Sequence, residues 1–369
     1  MRILHTADWH LGMSAHGEFD AVSGVSSRLL DMAKTVEWIG TVAEERQVQV
    51  VAIAGDLTHR KFLTGAELDI VLKFLYRMAR ANILVVIGEG NHDGYSHPGV
   101  PSTVAALNGI NPYVRTFAEA KPTYLSANER MFVIPYPNRA VLAAAGYTSA
   151  DVSDILSGWL SEEGCSEGDY VMAHLSVSSA KFSANAQPLL MGAADITVNW
   201  SSLVRDGMGG VLLGHIHMPQ VINDILWYAG APMCFDYGDG EGKRGVCIVE
   251  DGKRERLVNP HNRLFQTFTP ERIEFEPEAI IPGSFLRITA EREVDATERA
   301  EWARIAAHAG ATLTHIIEKR AETVRTRVKE VADAVTDEDI VRRWFEVAAE
   351  GEDAETVLAL MEKADEEAR

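Results

Sequence analysis

Apolar and polar positions divide the first hundred residues into three short strands separated by two helical stretches. Residues 2–6 read as a buried strand, and a helical pattern runs from about Leu29 to Arg46. Residues 48–54, rich in β-branched and apolar side chains with Gln49 the one polar position, predict a second buried strand. Thr64 and Glu67 predict a capping box. The helix behind it would present Leu68, Val71, Leu72, Leu75 and Met78 on one face. Residues 83–87 form the third strand. Strand–helix alternation of this kind predicts an α/β architecture.

The middle of the chain is richer in strands, at residues 130–134, 170–174, 210–213, 225–229 and 245–250. Asp251-Gly252 reads as the turn of a hairpin into residues 254–258, and residues 151–162 read as a helix. Together these predict a second, mixed sheet packed on the first. Residues 263–282, with Pro270, Pro277 and Pro282, read as a linker. A small βαβ module follows, with strands at 285–289 and 312–317 around a helix at 297–309. Two terminal helices, 336–349 and 353–364, are separated by Gly351. Their apolar stripes (Ile340, Val341, Trp344, Phe345 and Val347, then Val357, Leu358, Leu360 and Met361) are too small for a core and must dock on something. The expected divisions are 1–265, 266–330 and 331–369.

Each strand of the first part ends in residues able to bind a metal. Asp8 and His10 follow the first strand, Asp56 the second, and Asn91, His92 and Asp93 the third; His174 ends a later one, and His215 and His217 follow another. Open α/β sheets bind ligands at this edge. Any one of these motifs alone is compatible with an ordinary turn. Their recurrence at successive strand ends is not. Oxygen and imidazole donors without thiolate suit Mn²⁺, Fe²⁺ or Zn²⁺ better than Mg²⁺. The donors exceed what one ion needs. Two ions bridged by Asp56 account for them, with Asp8, His10 and His217 completing one site and Asn91, His174 and His215 the other. Paired ions roughly 3.5–4 Å apart are suited to phosphoryl chemistry.

Composition narrows the setting. Hydrophobic residues make up 46% of 369, and no apolar run is long enough to span a bilayer. The start of the chain lacks a basic-then-apolar signal segment, and three scattered cysteines do not make a disulfide framework. A cytoplasmic location is therefore expected. The net charge of −19 excludes non-specific adhesion to nucleic acid over the whole surface. A local site remains open, with cations or a basic partner supplying positive charge. His5, inside a strand, reads as a core residue. His16, His97 and His261 read as solvated loop residues, and His308 and His315 fall in the βαβ module away from the metal motifs.

Asp8-x-His10, Gly55-Asp56, Gly90-Asn91-His92-Asp93, His174 and Gly214-His215-x-His217, in that order, resemble the calcineurin-like metallophosphoesterase superfamily. Asp8-Trp9-His10-Leu11-Gly12, Gly55-Asp56-Leu57-x-His59, Pro135-Tyr136, His174-Leu175-Ser176, Gly214-His215-Ile216-His217-x-Pro219-Gln220 and Tyr228-Ala229-Gly230-Ala231-Pro232 resemble its SbcD-type (Mre-like) repair nucleases. Phosphoprotein phosphatases would instead carry Asp-Arg-Gly after the second motif and Gly-Asn-His-Glu at the third. The resemblance covers about residues 1–265.

It implies a four-layer α/β (α+β) sandwich flanked by helices, with a βαβ cap and a C-terminal helix pair. It implies two divalent ions, Mn²⁺ foremost with Fe²⁺ or Mg²⁺ as alternatives. It also implies exonuclease action on duplex ends and endonuclease action on single strands and hairpins, in DNA repair and recombination. His92 would be the catalytic histidine, oriented and charged by Asp93, and His59 would position DNA. The cap, with Lys319, Arg320, Arg325, Arg327 and Lys329, would contact DNA. The helix pair would grip an SbcC-like coiled-coil ATPase, and the early helices would form a homodimer. The alternative is a metallophosphoesterase acting on a small phosphodiester or a phosphoprotein.

Overall fold

The computed structural model describes residues 1–22, 24–94, 101–181, 196–239 and 243–318. His97, the basic cluster at 319–329 and the helix pair expected in 331–369 lie outside these residues. In chain order the first half holds β1 (Arg2–Thr6), α1 (Ser27–Glu45), β2 (Val50–Ala54), α2 (Gly65–Arg80), β3 (Leu84–Gly88), α3 (Thr103–Ala106), β4 (Val114–Phe117), β5 (Lys121–Tyr124) and β6 (Arg130–Ile134). It continues with α4 (Arg139–Ala144), α5 (Val152–Glu162), β7 (Tyr170–His174), β8 (Ser176–Val177), β9 (Thr197–Val198), β10 (Gly210–Gly214), β11 (Gln220–Asn223) and β12 (Leu226–Tyr228). The remainder is β13 (Gly245–Glu250), β14 (Lys253–Val258), β15 (Phe265–Phe268), α6 (Pro270–Phe275), β16 (Phe285–Ala290), α7 (Ala296–His308) and β17 (Thr312–Glu318).

Two six-stranded mixed sheets stack face to face, in the orders β14-β13-β1-β2-β3-β4 and β11-β12-β10-β7-β6-β5. The period-two alternation of strand side chains explains the layering. Ile3, Val50, Ala52, Leu84 and Val86 point from the first sheet toward Met131, Val133, Met172, Leu212 and Trp227 of the second. Their neighbours Leu4, Val51, Ile53, Val85 and Ile87 face the other way, onto Met32, Val36 and Ile39 of α1 and Phe74, Leu75 and Met78 of α2. On the second sheet's outer face, Val171, Ala173, Val211 and Leu213 meet Val152, Leu156 and Leu160 of α5. Each central strand is therefore covered on both faces, which is why it reads as a continuous apolar run. The Thr64–Glu67 capping box opens α2 as its spacing predicts. Asp251 (φ 50°) and Gly252 (φ 70°) turn the β13–β14 hairpin with both residues left-handed, the type I′ geometry.

A third sheet, β15-β16-β17, is wholly parallel, with α6 and α7 as its crossovers. The β16-α7-β17 unit follows the sequence pattern. The stretch that reads as a linker instead carries β15 and α6. Phe265-Gln-Thr-Phe268 has no period-two alternation. Its strand character comes from parallel pairing with β16, Phe265 opposite Phe285. Pro270 stands in the first turn of α6, where its missing N–H costs nothing. That proline marks a helix start rather than a spacer. Among the described residues, no helix is long and apolar enough to cross a membrane.

Candidate metal centre

The site lies where the C-terminal ends of β1, β2 and β3 meet those of β7 and β10. Beyond their strands, the first two loops stay zipped together. Asp8 N–H donates to Gly55 O (3.0 Å), His10 N–H to Asp56 O (3.0 Å) and Leu11 N–H to Leu57 O (3.1 Å). Local backbone turns aim Asp8 and His10. Both lie past the strand end with left-handed backbones, φ 55° and 45°, as do Asp56 (52°) and His215 (93°). Such conformations cost about 1–2 kcal/mol each in residues with a Cβ. Gly55 (φ +84°) could not carry a side chain here, since a Cβ would fall 2.2 Å from His174 Nδ1.

All seven expected donors converge. His10 Nε2 lies 3.0 Å from His217 Nε2, and these two imidazoles form a cluster with the Asp8 carboxylate. Asn91 Oδ1 lies 3.0 Å from both His174 Nε2 and His215 Nδ1. Asp56 Oδ2 faces both sets, 3.6 Å from His10 Nε2 and 3.4 Å from His174 Nε2. Several backbone groups fix the aim of these side chains. His215 N–H donates to Asp8 Oδ1 (2.9 Å), His92 N–H donates to Asp56 Oδ1 (2.8 Å), and His174 Nδ1 donates to Ala54 O (2.7 Å). The last bond leaves Nε2 of His174 as the lone-pair donor, the arrangement typical of a metal-ligating histidine.

The electrostatics fit cations. Asp8, Asp56, His10 and His174 are all almost wholly buried. Burial raises the Asp8 carboxyl above its usual range and pushes the His10 imidazole well below its own. Burial would also lower His174, yet the Asp56 and Asp8 carboxylates hold it up at about 9. Asp56 is strongly depressed because the imidazoles of His174 and His10 outweigh its desolvation. Asp8 Oδ2 and His10 Nδ1 are buried without a hydrogen-bond partner. Two buried carboxylates facing imidazole nitrogens, with Asp8 Oδ2 orphaned, are the donor set of a two-cation site, in which His174 would give up its proton when a cation binds.

His92 and His59 border this cluster. Their rings stack at 5.3 Å, and His92 lies edge-on to His10 at 4.7 Å between centroids. Asp93 does not orient His92. The partner of His92 Nδ1 is the His59 carbonyl oxygen (3.0 Å). The Asp93 carboxylate turns inward and accepts from Gly90 N–H (2.9 Å), Leu57 N–H (3.2 Å), Thr58 N–H (2.8 Å) and Thr58 Oγ1 (2.9 Å). It clamps the third loop to the second. Burial, then Asp56, raises its pKa to about 6.

Sequence reading missed three residues. Phe235 places its ring edge-on to His10 (5.5 Å) and against His217 (5.6 Å). Asp239 and Arg244 stand behind His217. None belongs to a motif, and all come from the connection after β12. His16, expected as a solvated loop residue, instead meets His315 of the βαβ module at 3.2 Å, joining the loop after β1 to the third sheet.

A structure of two sheets carrying paired carboxylate–imidazole sets defines a metal-dependent phosphoester hydrolase. The family model described as calcineurin-like phosphoesterase matches residues 1–219, and the chain belongs to that family. Within it, the chain is similar to proteins named as the SbcD component of nuclease SbcCD. Identity is 25% with that of Bacillus subtilis (strain 168), over 68% of this chain and 66% of the relative, so just under two thirds of that relative is spanned. It is 25% with that of Staphylococcus epidermidis, over 79% and 75%, and 22% with that of Escherichia coli (strain K12), over 79% and 74%. A dimetal phosphatase from Danio rerio aligns with a TM-score of 0.39 and 12% identity, over 67% of this chain and 91% of that one, too distant to bear on the site.

Proposed function

We propose that the chain is the Mn²⁺-dependent nuclease component of an SbcCD-like DNA repair complex. It would act as an exonuclease on duplex ends and as an endonuclease on single strands and hairpins. The observation that carries this reading is Asp56 facing two donor sets at 3.6 and 3.4 Å, with the His92 ring alongside. Asp8, His10, Asp56 and His217 would hold one ion and Asp56, Asn91, His174 and His215 the other. When bound, the ions supply Lewis-acid charge and lower the pKa of the attacking water.

The chain's own residues do the rest. His92, fixed through Nδ1 on the His59 carbonyl, presents Nε2 to the site and protonates the leaving oxygen. His59, half-buried with an unpartnered Nδ1, positions the phosphate backbone. Asp93 keeps Asn91 and Asp56 in register by tying their loops together. The third sheet would act as the DNA-contacting cap and residues 331–369 as the grip on an SbcC-like coiled-coil ATPase. That partner would compensate for the charge of −19. A homodimer through α1 and α2 is supported by the apolar groove between them, lined by Leu30, Ile70 and Tyr76. Three unbridged, buried cysteines support a cytoplasmic location.

The test is cleavage of end-labelled duplex and hairpin DNA with Mn²⁺, Mg²⁺ or EDTA, for the wild type and His92→Ala, with and without the ATPase partner. Mn²⁺-dependent cutting should fall by roughly 10²–10⁴-fold in the variant while metal content is unchanged. Hydrolysis of a chromogenic diester or a cyclic nucleotide, with none of DNA even with the partner, would replace this reading with the small-substrate one.

A further inference from the structure

Arg244 is 1% exposed and holds His217 from two sides. Its Nη1 donates to the His217 carbonyl oxygen, and its Nη2 lies 3.1 Å from Asp239 Oδ1. That same carboxylate oxygen faces His217 Nδ1 at 3.8 Å, within ion-pair range though beyond a direct hydrogen bond. The other oxygen of Asp239 accepts from the backbone N–H of Phe235 (2.6 Å) and Asp236 (3.3 Å). Asp239 is thus immobilised by a guanidinium and two amides, with its remaining field directed at one ring nitrogen. His217 is more open than the other imidazoles of the cluster, with 33% of its side chain exposed, whereas His10 and His174 are sealed in. It has the least packing to set its orientation, and it is the one backed by a buried carboxylate–guanidinium pair.

We infer that Asp239 and Arg244 are a positioning pair that fixes the tautomer and orientation of His217 and so completes the first of the two cation sites. The physical reason is simple. A carboxylate facing Nδ1 keeps the proton on that nitrogen, leaving the Nε2 lone pair directed at His10 Nε2 and the shared space between them. Arg244 stops the carboxylate from turning onto solvent and stops the His217 backbone from moving with it. The inference rests on the two-cation reading of the site and extends it to residues that touch no ion.

The experiment measures binding rather than catalysis. Mn²⁺ is titrated calorimetrically into the full-length apoprotein, and the bound ions are examined by electron paramagnetic resonance. The wild type should bind two ions and give the spectrum of a spin-coupled pair. Asp239→Asn, nearly isosteric, should bind one ion as before and the second roughly 10–100-fold more weakly, giving the six-line signal of isolated Mn²⁺ at one equivalent or more. Asp239→Glu should recover part of the coupled signal. Arg244→Lys should resemble Asp239→Asn. Unfolding curves at matched metal concentration separate loss of fold from loss of a site, and Asp239→Asn provides a folded variant if Arg244→Lys does not fold. Two tightly bound, coupled ions in Asp239→Asn would overturn the inference. A wild type that binds fewer than two ions would instead overturn the two-cation reading itself.

Discussion

His5 sits three residues before Asp8, yet it belongs to the packing between the sheets. It is fully buried, and its Nε2 donates to Leu213 O across the sandwich at 3.1 Å, while Nδ1 has no partner. Burial lowers its pKa from 6.5 to about 3. The sign of the consequence follows from which state takes the proton. Above pH 6.5 both folded and unfolded imidazoles are neutral, and nothing changes. Between 6.5 and about 3 the unfolded chain binds a proton that the fold refuses, so stability falls as pH falls. From pH 7 to pH 5 this one group should remove about 2 kcal/mol. His5→Gln keeps an N–H donor for Leu213 O and cannot titrate. Denaturant unfolding of both proteins at the two pH values should show the variant gaining on the wild type by that amount, whatever its offset at pH 7. A constant gap between the two would mean that His5 already titrates normally in the fold.

The juncture of β2 and β10 determines whether two sheets make one site. A Cβ at Gly214 would lie 1.9 Å from Ala54 O, at the end of β2, and 2.9 Å from Ala7 Cβ, just past the end of β1. Ala54 O is also the acceptor that orients His174. Gly214→Ala should therefore part the two strand ends. It should cost about 1–3 kcal/mol and weaken Mn²⁺ binding at the His174 set. Gly158→Ala in α5, where a Cβ meets nothing, should instead stabilise by about 0.5–1 kcal/mol. Thermal unfolding with and without Mn²⁺ reads both changes, and equal shifts for the two variants would show that the sheet approach is not tight.

The elements around this juncture were also the legible ones. β1, β2, β3, β7 and β10 are buried on both faces, so their apolar runs and the motifs at their ends stand out in the sequence. β4, β5, β11 and β15 are short and partly exposed edge strands, with no continuous apolar run; β4 and β15 become strands by parallel pairing with β3 and β16, and β5 and β11 by hairpin pairing with β6 and β12. Asp239 and Arg244 were illegible for a related reason. Their chemistry depends on a partner 22 and 27 residues earlier, and neither carries a spacing that sequence alone can interpret. Asp93 was misread because adjacency to His92 in the chain says nothing of which way a turn residue points.

At the scale of the whole molecule, one guanidinium joins three parts. Arg28 of α1, 2% exposed, pairs through Nη1 with Asp31 Oδ2 (2.9 Å) and through Nη2 with the carbonyl oxygen of Cys234. Its charge lies over the rings of Phe285 (5.0 Å) and Phe265 (5.6 Å) of the third sheet. Arg263 covers Phe285 at 3.8 Å and reaches the same Asp31 oxygen at 3.5 Å. Cys234 adjoins Phe235, whose ring touches His10 and His217. Movement of the third sheet over α1 is therefore mechanically linked to the wall of the metal centre. Arg28→Met keeps the bulk and removes the charge. It leaves the Cys234 carbonyl unsatisfied and removes one of the two cations that balance Asp31, a loss of about 3–5 kcal/mol on the scale of broken buried ion pairs. Hydrogen exchange followed by mass spectrometry should then show faster exchange in two separate places, β15–β16 and residues 232–237, with α2 and β3 unchanged. If faster exchange were confined to α1, Arg28 would be only a local helix anchor, and the third sheet would move independently of the site.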